Sequence, residues 1–83
     1  MANQTHLSIL MQGVSSWNGW RKNSPEVVPD LSAADLSGMK LANVNFAKAN
    51  LNNTIFTGAD LTGADLTGAS INAATGLTWQ GKS

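Results

Sequence analysis

The sequence predicts an all-β solenoid, a coil that turns one corner for every five residues, and one repeated pattern carries that prediction. Large apolar residues stand at every fifth position from Leu31 to Ile71 without a slip. The residue two positions before each is small or apolar in nearly every copy, and the residue one position before is polar with one exception. We expect the large apolar residues to form the structural core: Leu31, Leu36, Leu41, Phe46, Leu51, Phe56, Leu61, Leu66 and Ile71.

A period of five suits neither a regular helix nor a regular strand. Successive large residues would step about 140° around a helix, and along a strand they would alternate between its two faces. The chain must therefore turn once per repeat, with two residues of every five pointing inward and three forming the wall or the turn. Gly38, Gly58, Gly63 and Gly68 occupy one place in the repeat, where a turn favours a residue that adopts positive φ easily.

The repeats share a motif of Ala, then Asp or Asn, then Leu, then two small or polar residues. It is clearest in the sequences ADLSG at Ala34–Gly38, ADLTG at Ala59–Gly63 and ADLTG again at Ala64–Gly68. Over Pro29–Ala73 the chain resembles the pentapeptide-repeat family. The resemblance implies a right-handed quadrilateral β-helix with four repeats per coil, and hence just over two coils.

The same resemblance implies that residues twenty apart stack on one face of the coil. The ladders would then be Leu31–Leu51–Ile71, Leu36–Phe56, Leu41–Leu61 and Phe46–Leu66. On the outside, Lys40 would lie beside Asp60, an exposed pair of opposite charges that contributes little to stability.

Residues 1–28 are predicted to form a capping helix and a linker. One helix over Thr5–Lys22 is expected, with Thr5 as its N-cap and Asn23–Pro25 as its stop. Its apolar face follows helical spacing and would cover the open end of the first coil. The expected cap residues are Leu7, Leu10, Val14 and Trp17. Trp20 lies slightly off that face, which favours packing within the cap over contact with a partner.

The repeat stops at Gly76, where the next large apolar residue would fall, so residues 74–83 are interpreted as a short C-terminal tail. Two interpretations remain open. Leu77 and Trp79 could fold back over the last layer as a plug. Alternatively, the end could stay partly open and form an end-on homodimer through the C-terminal coil. The possible interface consists of Ile71, Leu77 and Trp79.

The residues needed for catalysis or metal binding do not occur in useful combinations. His6 is the single histidine and cysteine is absent, so no metal-ligand set is expected, and His6 is interpreted as a surface residue at a helix start. Asp60 and Asp65 would point outward from adjacent faces, whereas paired acid catalysis needs carboxylates that converge on one pocket. No base is placed to activate a Ser or Thr. The sequence therefore predicts no catalytic residue, no metal, no cofactor and no enzymatic activity.

The composition limits the partners. Only 12% of the residues are charged and the net charge is zero, which disfavours direct binding of nucleic acid. No apolar run approaches the roughly 20 residues of a membrane span. No targeting segment is evident either, so a cytoplasmic location is expected.

A non-catalytic structural or protein-interaction module with an unknown protein partner is the function that these observations favour. The alternative, implied by the family resemblance, is a topoisomerase (gyrase) binding protein that mimics DNA. Outward Asp residues are few, however, and Lys40 and Lys48 share the wall with them. Ile55, the one apolar residue at an outward position, is either a minor contact patch or a tolerated surface residue.

Overall fold

The computed structural model describes residues 1–77, which form two short helices followed by a coil of stacked turns. Helix α1 spans Gln4–Met11 and helix α2 spans Val14–Asn23. From residue 30 onward the chain pairs through isolated parallel β-bridges, and each bridge joins residues twenty positions apart. Twenty residues are four repeats, so one coil contains four corners. The bridges are Asp30–Asn50, Asp35–Ile55, Lys40–Asp60, Asn45–Asp65, Asn50–Ser70 and Ile55–Thr75.

Successive coils are held together by backbone hydrogen bonds that run in both directions at each face. The Leu31 N–H donates to the Asn50 carbonyl at 2.9 Å, and the Asn50 N–H donates back to the Pro29 carbonyl at 2.8 Å. The other faces repeat this arrangement. Each level of the coil therefore satisfies the backbone of the level beside it, which an extended chain could not do alone. The handedness of the coil stays a prediction from the family resemblance.

Every corner is a tight turn whose geometry explains the position of the glycines. The Ala34 N–H donates to the Leu31 carbonyl at 3.1 Å, which closes the first turn, and the residue before it, Ala33, has φ of 61°. A left-handed residue at this point favours glycine. Gly58 has φ of 73° there, but Lys48 adopts 62° at the equivalent position. The repeat therefore imposes the left-handed conformation even where a side chain is present.

The interior is filled by the large apolar residues and the small residues two positions before them. All the large residues from Leu31 to Leu66 are buried, together with Ala34, Val44, Ala49, Ala59 and Ala64. Thr54 is the buried polar member, and its hydroxyl donates to the Leu31 carbonyl at 2.8 Å. Ile71 was expected to be part of the core, but it is not. Its side chain is 44% exposed because no further coil covers it within the described residues.

The expectation of one N-terminal helix was wrong, since the structure has two. Gly13 separates them with φ of 117°, a conformation outside any right-handed helix. Asn3, not Thr5, is the N-cap of α1, and its side chain accepts hydrogen bonds from the N–H groups of Thr5 and His6 at 2.9 and 3.2 Å. The second helix ends at Asn23, where the stop was predicted.

Candidate functional site

The N-terminal end of the coil is covered by Trp17 of α2, which makes both an apolar and a polar contact there. Its indole is fully buried and meets the ring of Phe46 edge-on, with centroids 5.6 Å apart and planes at 84°. Its Nε1–H donates to the Asn45 carbonyl at 2.8 Å. One side chain therefore shields the first layer and satisfies a backbone group on the edge of the coil. Of the other expected cap residues, Leu10 is fully buried, and Leu7 and Val14 are half-buried against the core.

Two polar residues of α2 extend this cover along the same edge. The Arg21 guanidinium donates from Nη1 to the Asn45 carbonyl at 2.9 Å and from Nη2 to the Ala47 carbonyl at 2.8 Å. Asn18 donates to the Asn43 carbonyl at 3.0 Å and accepts from the Asn45 N–H at 2.8 Å. Burial lowers the pKa of Arg21, while the charge of Asp65 opposes that shift. Sequence reasoning missed these contacts, although Arg21 follows Trp17 by four residues and therefore lies on the same face of the helix.

His6 is not the simple surface residue that the sequence suggested. It is half-buried, and its Nδ1 accepts a hydrogen bond from the Asp30 N–H at 3.0 Å. Its ring lies 4.9 Å from that of Trp20, which in turn lies 5.1 Å from Trp17. Beside it, the Asn3 N–H donates to the Asp30 carbonyl at 2.9 Å. This cluster ties the start of α1 to the first bridge residue of the coil.

The outward carboxylates are engaged by their own turns. Asp35 and Asp60 each accept hydrogen bonds from the hydroxyl and the N–H of the residue two positions later, which are Ser37 and Thr62. These bonds, led by that of the hydroxyl, lower the pKa of both carboxyl groups. Asn45 accepts the equivalent N–H bond from Ala47 at 3.1 Å without carrying charge. An Asp or Asn before a large apolar residue therefore acts as a turn cap.

The bridge register spreads the acidic residues around the coil. Asp30, Asp35, Asp60 and Asp65 each lie on a different one of its four faces. No face of the described coil stacks one aspartate on another, and Lys40 is bridged to Asp60. Ile55 lies next to Asp35 and is 37% exposed. The described part of the coil therefore carries no acidic ridge.

At the C-terminal end, the described residues contribute apolar contacts but no side chain that donates to the edge of the coil as Trp17 and Arg21 do at the other end. Ala74 and Leu77 pack against the core, whereas Trp79, the other residue of the predicted plug, lies outside the described residues. Gly76 has φ of 67° and departs from the repeat. On the edge of the second coil, five backbone N–H groups have no acceptor within residues 1–77. They belong to Gly58, Leu61, Gly63, Leu66 and Gly68.

Residues 1–77 contain no pocket and no cluster of His, Cys, Asp or Glu that could hold a metal ion. In the same part of the chain, neither helix is long and apolar enough to cross a membrane.

The repeats match a known family. Its profile, described as pentapeptide repeats, covers residues 30–68 with 8 copies. Neither the curated proteins nor the solved structures contain a match to the chain. The match confirms the resemblance seen in the repeated Ala-Asp-Leu motif, and residues 30–68 of this chain belong to the pentapeptide-repeat family.

Proposed function

We propose that the chain is a non-catalytic protein-interaction module whose partner is a second copy of itself. The observation that carries the proposal is that most side chains of the coil are engaged in contacts within the coil itself. Its interior is filled by apolar groups, and outward carboxylates such as Asp35 and Asp60 bind their own turns. What remains for contact is backbone and apolar surface at the end of the coil.

The proposed contact surface is the C-terminal end, centred on Ile71. Leu31 and Leu51 of the same ladder are fully buried, but Ile71 is 44% exposed. The N–H groups of Gly58, Leu61, Gly63, Leu66 and Gly68, which have no acceptor within residues 1–77, lie on that end, and an unpaired sheet edge is a template for another chain. A two-fold end-on dimer would use this surface twice. The net charge of zero leaves little long-range repulsion between two copies.

Size-exclusion chromatography with light scattering on the full chain tests the proposal across micromolar to near-millimolar concentrations. We expect the mass to rise from 8.7 kDa towards twice that value. Ile71→Glu should abolish the rise, because it places a charge at the centre of the contact. Val28→Glu is the matched control, since Val28 is an exposed apolar residue in the linker that precedes the first coil.

Two results would overturn the proposal. One is a wild-type chain that stays monomeric at the highest concentration. The other is a dimer that Ile71→Glu leaves unchanged, which would move the contact to another surface.

A further inference from the structure

The imidazole of His6 occupies a position that only its neutral form can fill. The Asp30 N–H points at Nδ1 from 3.0 Å, so Nδ1 must be an acceptor and the ring proton must reside on Nε2. Asp30 is also the residue whose carbonyl accepts from the Asn3 N–H and whose backbone bridges to Asn50. A change in the protonation of His6 would therefore affect the junction between α1 and the first coil.

Protonation of His6 would replace this hydrogen bond with a repulsive contact between two N–H donors. A protonated imidazole carries hydrogen on both nitrogens, so Nδ1–H would face the Asp30 N–H and neither could accept from the other. The Asp30 amide would lose its partner, and an amide without one destabilises a folded chain when it is kept from water. Histidine is the side chain that ordinarily changes charge between about pH 5 and 8, and this chain has one histidine and no cysteine.

We propose that His6 is a pH-sensitive latch, which holds α1 on the first coil when neutral and releases it when protonated. The tie would be lost first at Asp30, at the N-terminal edge of the face that carries Asn50 and Ser70. Trp17 and Arg21 donate to the Asn45 carbonyl on a different face of the coil.

The charges around His6 decide the direction of the effect. The nearest is the Asp30 carboxylate, which attracts a protonated imidazole, and the Met1 amine lies close enough to Asp30 to offset part of that attraction. From α2 the neighbour is the uncharged indole of Trp20, while the Arg21 guanidinium is held by the Asn45 and Ala47 carbonyls.

The Asp30 carboxylate does not reverse the direction in which protonation of His6 changes the stability of the fold. Its Oδ1 already accepts from the N–H and the hydroxyl of Ser32, and these bonds are the main reason why the pKa of Asp30 is lowered. An attraction through such an engaged and hydrated group is weak. The direct loss at Nδ1 therefore dominates, and stability falls as the pH falls.

The test combines thermal unfolding with the NMR signal of the Asp30 amide in the full chain. The melting temperature should fall by about 4–8 °C between about pH 7 and pH 5, the shift that the loss of one hydrogen bond produces in a domain of this size. The Asp30 amide resonance should move over the same range and exchange faster with solvent at the acidic end.

His6→Asn is the matched variant, because its Oδ1 can stand in for Nδ1 as an acceptor without titrating. It should show no such fall in melting temperature over this range. His6→Phe keeps the ring against Trp20 but removes the acceptor, so its melting temperature should be low at both ends of the range. Equal slopes in the wild type and His6→Asn would overturn the proposal. So would an Asp30 amide in the wild type that is indifferent to pH, and that result needs no variant to fold.

Discussion

The two ends of the solenoid are finished in different ways, although the repeat between them is uniform. At the N-terminal end, Trp17, Asn18 and Arg21 replace the missing coil by donating to carbonyls on the edge. At the C-terminal end, Leu77 supplies apolar cover and Ile71 remains 44% exposed. The comparison teaches that a repeat specifies its middle, whereas its ends depend on residues outside the repeat.

The backbone groups of the N-terminal edge are met by both donors and acceptors of the cap. The Asn45 carbonyl accepts from Trp17 and Arg21, and the Asn45 N–H donates to the Asn18 Oδ1. On the edge of the second coil, N–H groups such as that of Gly63 have no acceptor within residues 1–77. The two edges therefore differ, among the described residues, in how much of their backbone is satisfied by a cap.

The largest expected effect is that of Trp17→Ala, which removes the main cover of the N-terminal end of the coil. It opens a cavity against Phe46 and leaves the Asn45 carbonyl with one donor fewer. We expect the free energy of unfolding, measured by urea titration, to fall by about 3–5 kcal/mol.

Ile71→Ala is the control for Trp17→Ala at the other end. Because Ile71 is 44% exposed, its truncation should cost less than about 1 kcal/mol. Equal losses in the two variants would contradict the view that the N-terminal end is the better covered one.

The middle of the molecule could be predicted from the sequence because its physics is periodic. A spacing of five placed the large apolar residues from Leu31 to Leu66 inside, and every Asp or Asn that directly precedes one of them is exposed or half-buried. The twenty-residue register also agreed with the ladder implied by the family resemblance. These features need only local turns and burial, both of which repeat in the sequence.

The ends could not be predicted in the same way, because they depend on where a helix comes to rest. Arg21 lies in the last turn of α2, where a cation favours the helix dipole, but its bonds to the Asn45 and Ala47 carbonyls depend on where the helix packs. The hydrogen bond that His6 accepts from the Asp30 N–H likewise depends on where α1 packs and could not be predicted from the sequence. Gly13 separates the two helices, but the apolar residues keep helical spacing across it and therefore predicted one helix.

Gly76→Ala is the next prediction, and it measures how tightly the weaker end is built. A Cβ at Gly76 would stand 2.5 Å from the Thr57 nitrogen and 2.6 Å from its Cα. Gly38→Ala is the matched control, since Gly38 has φ of 69° against 67° for Gly76 but nothing within 4 Å of its Cβ position.

Both substitutions force alanine into the left-handed region at about 1–2 kcal/mol, and Gly76→Ala should cost about 1–3 kcal/mol more through the clash. Urea unfolding of the two variants gives the difference. If they lose the same amount, the close approach of Gly76 to Thr57 does not contribute to the C-terminal end.

The smallest effect is expected where the two coils are alike, in the turns capped by Asp35 and Asp60. The pKa of each carboxyl group is lowered from its ordinary 3.8 by the hydroxyl and the N–H two positions later. Each charged carboxylate therefore contributes stability above that ordinary value and loses it as the pH falls through the lowered pKa. The urea midpoint of the wild type should decline in strongly acidic solution for this reason.

Asp35→Asn and Asp60→Asn should keep their turns, because Asn45 accepts the same N–H bond from Ala47 without charge. Each should flatten the acidic decline by a similar amount, since the first and second coils hold their aspartates alike. A clearly larger effect at Asp60 would mean that the exposed end weakens the wall beside it. In that case the difference between the ends would extend into the repeat and would not stop at its edges.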